Sequence, residues 1–187
     1  RGRFRGAGHG LWIISFVMTH AEVAKPNRVY LANPLGFSEA GSEFIRRVLL
    51  PELTNRGFQV INPFDLVDLS KIREIQAMPI GSARIDAWKA LNAVIGKTNQ
   101  ETIDSCDVVL AVLDGTDVDS GTAAEIGYAY ARGKKIMGYR GDFRLSADNE
   151  GSSVNLQVEY FIRSSGGTVV TKSSDIGDAM WALVKKN

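Results

Sequence analysis

From Arg28 onward, short apolar runs alternate with longer stretches in which apolar residues recur at helical spacing, the pattern of a parallel sheet covered by helices. The runs predict strands at Val29–Ala32, Phe58–Ile61, Val108–Leu113, Lys135–Tyr139 and Thr168–Val170. Every position from Val108 to Leu113 is apolar, so that strand is expected to be buried on both faces, at the centre of the sheet. Phe44, Ile45, Val48, Leu49 and Leu53 mark a helix that begins near Ser38 and stops at Gly57, with a kink expected at Pro51. Ile176, Ala179, Met180 and Leu183 mark a last helix over Ser174 to Lys185. Pro79 and Gly81 divide the long connection from Leu66 to Thr98; Ser82 to Val94 reads as helical, and Asn99 to Cys106 as a turn or two before the central strand.

Five parallel strands joined by such crossovers imply an α/β fold, a flavodoxin-like or Rossmann-like sheet in the order 2-1-3-4-5 with helices on both faces. Ligands of such sheets sit beyond the carboxyl ends of the strands, so the loops that follow each strand are the ones to read. A length of 187 residues with 44% hydrophobic content suits one core, and residues 28–187 read as one domain. Residues 1–27 differ: a Gly/Arg stretch to Gly10 precedes the apolar run Leu11 to Met18. That run is far short of the roughly 20 residues that span a bilayer, and residues 1–27 are expected to be a poorly ordered leader or tag.

Charge narrows the partners. The 22 basic and 21 acidic residues nearly cancel, so no overall field draws the chain onto nucleic acid or an acidic membrane, and a small neutral ligand fits better. The one cysteine, Cys106, has no partner for an intrachain disulfide and no zinc-site spacing around it. It reads as a core residue of a protein in a reducing compartment, the cytoplasm, with neither metal nor cofactor expected.

Chemistry concentrates after the central strand, in Asp119-Ser120-Gly121-Thr122-Ala123-Ala124-Glu125-Ile126-Gly127-Tyr128. Asp119 or Ser120 suits a helix N-cap, and the turns beyond are small or apolar on every side, so the helix is expected to be buried. Glu125 is the one charged residue between Ala123 and Ala131, placed where a carboxylate is costly unless something pairs with it or uses it. A solvent-facing helical Glu is the ordinary alternative; the small neighbours, which leave room for a ligand, weigh against it.

This segment resembles the nucleoside 2-deoxyribosyltransferase family, whose motif places an acidic residue, a Gly-Ser/Thr pair and a Glu before an Ile/Leu-Gly-Tyr/Phe run. Asp119, Gly121, Thr122, Glu125, Gly127 and Tyr128 occupy those positions. Val29-Tyr30-Leu31-Ala32 with Asn33-Pro34, Cys106-Asp107 and Asn155-Leu156 match further along, in order. The resemblance implies exchange of 2-deoxyribose between nucleobases, with Glu125 attacking the anomeric carbon and Tyr30 orienting it. It implies that Asp119 accepts from a sugar hydroxyl, although an N-cap role suits Asp119 equally. Substrate binding would also involve Gly121 and Asn99, with Asn155 and, less firmly, Gln157 reaching in from a neighbouring subunit. The active sites would then be shared in a homo-oligomer, at least a dimer, that takes deoxynucleosides and free nucleobases.

Asn99 stands where better-known members carry an Asp, and an amide binds a base edge but supplies no proton. Asp65 and Asp114, at strand ends, are the acids that would substitute, turn-forming roles being their ordinary reading. Arg140, Asp142 and Arg144 read as a solvated loop rather than a phosphate pocket. Base contacts are expected from the loops Asn62–Leu69 and Met78–Ala83. Two other functions compete. One is an N-glycosidase acting on (deoxy)nucleoside 5′-monophosphates, which needs a phosphate cradle that Asn33-Pro34-Leu35-Gly36-Phe37-Ser38 does not resemble. The other is a non-catalytic nucleotide sensor; a receiver would need clustered acids after the first strand, and a dinucleotide binder a G-x-G-x-x-G turn.

Overall fold

A computed structural model describes residues 27–185. It contains one five-stranded parallel sheet in the order β2-β1-β3-β4-β5, formed by β1 (Arg28–Ala32), β2 (Gln59–Ile61), β3 (Val108–Val112), β4 (Lys135–Tyr139) and β5 (Val169–Val170). The order is the one the pattern of the sequence implies. β3 lies in the middle and all five of its residues are buried, as expected of a strand with no polar position. Register pairs Tyr30 with Val109 and Val109 with Ile136, so one layer of side chains runs across three strands.

Alternation along the strands divides the core into two. Val29, Leu31, Leu110 and Met137 face one side, where Ile45, Leu49, Leu53, Ile176, Met180 and Leu183 cover them. Tyr30, Ala32, Val109, Ala111 and Ile136 face the other, under Ile103, Ile126, Ala129, Val158 and Ile162. The first set of helices is α1 (Glu39–Phe44), α2 (Leu50–Thr54) and α7 (Ile176–Lys185). The second is α4 (Ser82–Ser105), α5 (Ser120–Ala131) and α6 (Leu156–Ser164). A further helix, α3 (Leu69–Ala77), precedes α4.

Several boundaries differ from expectation for physical reasons. Ser38 does cap α1, accepting from Gly41 N at 3.0 Å. Next to Pro51 the helix continues with a local change of winding: residues Ile45–Leu49 form a wider π turn, in which Leu50 N donates to Ile45 O, and α-helix resumes directly. A wide turn at that point accommodates a residue with no N–H to give to the preceding turn. α4 runs unbroken for 24 residues, so the segment from Asn99 to Cys106 is its last turns rather than a separate connection. Lone Gly96 is tolerated inside it. α3 and α6 are additional to the helices that the apolar pattern predicts; α6 starts where Asn155 accepts from the backbone N–H groups of Gln157 and Val158. The N-terminal segment expected to be a leader or tag lies, except for Asn27, outside the described residues.

Leu110 is fully buried at the middle of the central strand. Leu110→Ala is expected to cost about 3 kcal/mol of unfolding free energy, by lost transfer energy and the cavity left behind; a urea titration with unchanged slope measures it.

Candidate active site

The carboxyl ends of β1 and β2 and the N-terminal turns of α5 enclose a cleft of about 650 Å³. One wall comes from α4, where Asn92, Ile95 and Asn99 recur at helical spacing on one side. Opposite stand Phe37 and Phe64, edge to face with centroids 4.9 Å apart. Gly36 fits beneath this pair because a Cβ there would strike the Phe64 ring. Val67, Leu69 and Ile72 add apolar surface, while Asp119, Gly121, Thr122 and Glu125 supply the polar end. A mostly apolar cleft with a few convergent polar groups is the usual form of a small-molecule site.

Glu125 projects from α5 toward the sheet. Its Oε1 accepts from the Tyr30 hydroxyl at 2.5 Å and, more weakly, from Asn99 Nδ2 at 3.4 Å. Tyr30 is wholly buried, so its hydroxyl depends on that carboxylate. Burial and the adjacent Glu125 charge both raise the Tyr30 pKa, leaving a proton donor throughout the physiological range. Burial pushes Glu125 from the ordinary 4.5 to about 7; the Tyr30 hydrogen bond opposes that rise, and the Asp119 charge adds to it. Near neutral pH the carboxylate is therefore poised between its two forms, the condition in which a nucleophile is available yet poorly solvated.

Asp119 caps α5: Oδ2 accepts from Thr122 N at 2.9 Å and from Thr122 Oγ1 at 3.3 Å. Among the described residues Oδ1 has no hydrogen-bond donor, so capping leaves one oxygen available to a ligand.

A family model described as nucleoside 2-deoxyribosyltransferase matches residues 29–157. The chain belongs to that family. No curated protein matches it. Among solved structures, a conserved protein from Enterococcus faecalis V583 is 22% identical, covering 84% of this chain and 98% of its own, with a TM-score of 0.61. A 2-deoxyribosyltransferase from the psychrotolerant bacterium Bacillus psychrosaccharolyticus is 20% identical over 84% of this chain and 95% of its own, with a TM-score of 0.58. These two share the fold.

Of the residues singled out by sequence, Tyr30, Glu125, Asn99, Asp119 and Gly121 converge, the first two in direct contact. The others lie elsewhere in the chain. Asn155 caps α6 and Gln157 is exposed on its first turn, neither of them lining this cleft. Asp65 is exposed in the turn Pro63–Leu66. Asp114 accepts from Asp142 N at 2.9 Å and lines a separate recess. The helix carrying Glu125 is only partly buried: Thr122, Ile126 and Ala129 are inside, whereas Ala124 and Ala131 are exposed. Arg140, read as part of a solvated loop, is instead buried and donates to Leu113 O, Gly115 O and Arg144 O. The Asn62–Leu69 loop does reach the cleft through Pro63, Phe64, Val67 and Leu69, whereas nothing from Met78 to Ala83 does. Asn33, which stands in the matched segment after the first strand, and Phe37 in the same loop also line the cleft, with no role assigned to either from sequence; Asn92 and Ile95 carried no sequence signal, and only the unbroken course of α4 would have pointed to them.

No helix among the described residues is long and apolar enough to cross a membrane. Nor do any three His, Cys, Asp or Glu side chains among them gather as a metal site would require.

The raised pKa makes Glu125 a liability in its charged form. Its contribution to stability is fully present below the ordinary glutamate pKa of 4.5 and is lost as pH rises through about 7. Glu125→Gln, which keeps an acceptor for Tyr30, is expected to be more stable than wild type at pH 8 by on the order of 1 to 2 kcal/mol, discounted for partial solvent access, with no advantage at pH 4. Paired denaturant titrations at the two pH values test this; a gain independent of pH would contradict it.

Proposed function

We propose that the protein exchanges bases on 2′-deoxyribonucleosides through a covalent glycosyl-Glu125 intermediate. The observation that carries this reading is a partly buried carboxylate at the polar end of a nucleoside-sized cleft, held by a tyrosine hydroxyl that has no other hydrogen-bond partner among the described residues. In the first displacement Glu125 attacks C1′, the bond from C1′ to the base nitrogen breaks, and the base leaves with the electron pair. A ring nitrogen of the acceptor base then attacks C1′ of the ester and frees the carboxylate. Two inversions at one carbon give net retention, as in retaining glycosidases.

Tyr30 holds Oε1 and thereby directs the carboxylate into the cleft, while the second oxygen of Asp119 suits a sugar hydroxyl. Asn99 binds either the carboxylate or a base edge and supplies no proton. Asn155 and Gln157 complete the site of a neighbouring copy in this reading, which accounts for their distance from Glu125 of their own chain.

Cleavage of a nucleoside 5′-monophosphate is the other reading. The lining of the cleft disfavours it: two carboxylates face the ligand, and neither Lys nor Arg is present among the described lining residues. A phosphate dianion would meet repulsion without a countercharge.

Incubation with a deoxynucleoside plus a different free base, and separately with the matching 5′-monophosphate, distinguishes the two by chromatography. A new nucleoside is expected in the first mixture; free base from the monophosphate alone would favour hydrolysis. Glu125→Ala is expected to abolish exchange, and intact-protein mass spectrometry of wild type with donor alone to show the mass of one added deoxyribosyl group. Tyr30→Phe removes a hydrogen bond to the charged form, worth about 1.5 to 3 kcal/mol. It is expected to lower kcat/KM roughly 10- to 100-fold and to move the rising limb of the pH profile above its wild-type position near 7. Exchange retained in Glu125→Ala would end the proposal.

A further inference from the structure

On the opposite face of the sheet from Glu125, the same carboxyl edge carries a second recess of about 510 Å³. Its lining includes Phe44, Asp114, Tyr139, Gly141 and Phe143. Tyr139, the last residue of β4, is only 6% exposed, and its hydroxyl has no hydrogen-bond partner among the described residues. Yet that oxygen is not sealed in: among the described residues the fully buried side-chain polar atoms without partners are Ser146 Oγ and Ser152 Oγ. The hydroxyl therefore opens into the recess. A Cβ on Gly141 would collide with it and would lie 3.6 Å from Asp114 Oδ2, so the absence of a side chain at 141 keeps both oxygens accessible from one point.

The surroundings are fixed. Asp114 Oδ1 is committed to Asp142 N at 2.9 Å, which leaves Oδ2 directed elsewhere. Asp142 in turn is bound by the Arg144 guanidinium. Arg140, 4% exposed, donates from Nη1 and Nη2 to the carbonyl oxygens of Leu113, Gly115 and Arg144, tying the ends of β3 and β4 together beside the recess. Phe44 stacks on Tyr139 with centroids 5.9 Å apart and fixes the ring that carries the hydroxyl. Above them Phe143 is 96% exposed, an unpartnered aromatic face at the mouth. Preorganised polar groups beside an exposed ring are what a planar heterocycle requires.

We infer that this recess is a second binding site, for a nucleobase with an amidine edge, in which an exocyclic amino group lies beside an unprotonated ring nitrogen. Tyr139 donates to the ring nitrogen, Asp114 Oδ2 accepts from the amino group, and Phe143 covers the ring face. Burial and the Asp114 charge hold the Tyr139 pKa above its ordinary value, so the hydroxyl keeps its proton for that donation. Adenine has this edge; hypoxanthine presents an oxygen beside an N–H and has it reversed.

The inference does not depend on the Glu125 reading, and its test separates the two. Calorimetric titration up to the adenine concentration that just saturates wild type is expected to show one more equivalent bound per chain in wild type than in Tyr139→Phe, whatever the Glu125 cleft binds. A site weakened at least about tenfold stays largely empty over that range. Removing a hydroxyl with no partner leaves packing intact, and far-ultraviolet dichroism and melting confirm it. Asp114→Asn gives a sharper result. The Asp142 N–H holds the amide oxygen at the Oδ1 position, placing an NH2 where Oδ2 was, so preference at this site is expected to move from adenine to hypoxanthine. Equal adenine stoichiometry in wild type and Tyr139→Phe overturns the inference. So does an Asp114→Asn variant whose preference is unchanged, or occupation of the recess by a second copy of the chain, seen as burial of Phe143 in the assembled protein.

Discussion

The hydrogen bond from Tyr30 to Glu125 links the sheet to the helix above it, and both groups require it. A tyrosine wholly inside the core carries a hydroxyl that needs an acceptor, and a carboxylate partly withdrawn from water gains from a donor. Each satisfies the other across β1 and α5. Their environments shift both pKa values upward, but with different consequences: the phenol stays a donor, and the carboxylate is brought near neutrality. Neither group tolerates loss of the other cheaply, since a buried donor left alone costs about 1 to 3 kcal/mol. The arrangement thus joins fold and chemistry in a single contact.

The topology explains why the contact occurs where it does. In the order β2-β1-β3-β4-β5 the chain leaves β1 toward one face of the sheet and β3 toward the other, which opens a crevice at their carboxyl ends. α5 enters that crevice with Asp119 at its start and Glu125 less than two turns further on, on the side that faces Tyr30. The small residues of α5 matter because helix and strand approach closely; Ala129 and Ile126 are fully buried against the sheet. α4 closes the crevice, and its length is what brings Asn92 and Asn99 to the same wall.

How much was legible in the sequence depended on whether a residue acted through local or distant neighbours. The strands were legible because runs such as Val108 to Leu113 are apolar throughout, and burial on both faces admits little else. Glu125 stood out because a lone carboxylate in a small apolar helix contradicts its surroundings. Asp119 announced an N-cap and is one. By contrast, nothing local in the weakly amphipathic sequence of α4, with Gly96 inside it, says that one helix continues from Ser82 to Ser105. Phe37 and Phe64 meet only after two loops have folded over separate strands. Arg140 looked like a loop cation because its partners are carbonyl oxygens, which every sequence contains and none displays.

Arg140 also bears on how one sheet edge carries two different cavities. A guanidinium is expensive to bury, and here it forms no ion pair among the described residues; it donates instead to carbonyl oxygens at the ends of strands and turns. By taking those carbonyls, Arg140 ties the end of β3 to the segment after β4, with Asp114 held on one side by Asp142 N and Val118 packed toward Glu125's side of the core on the other. Side chains at alternate positions of one strand point to opposite faces, so a rigid strand end presents independent chemistry to each. Tyr30 serves one face and Tyr139 the other, the first with its hydroxyl committed to a carboxylate and the second with its hydroxyl open. That asymmetry makes the first a positioning group in the proposed mechanism and the second a group that still lacks its partner.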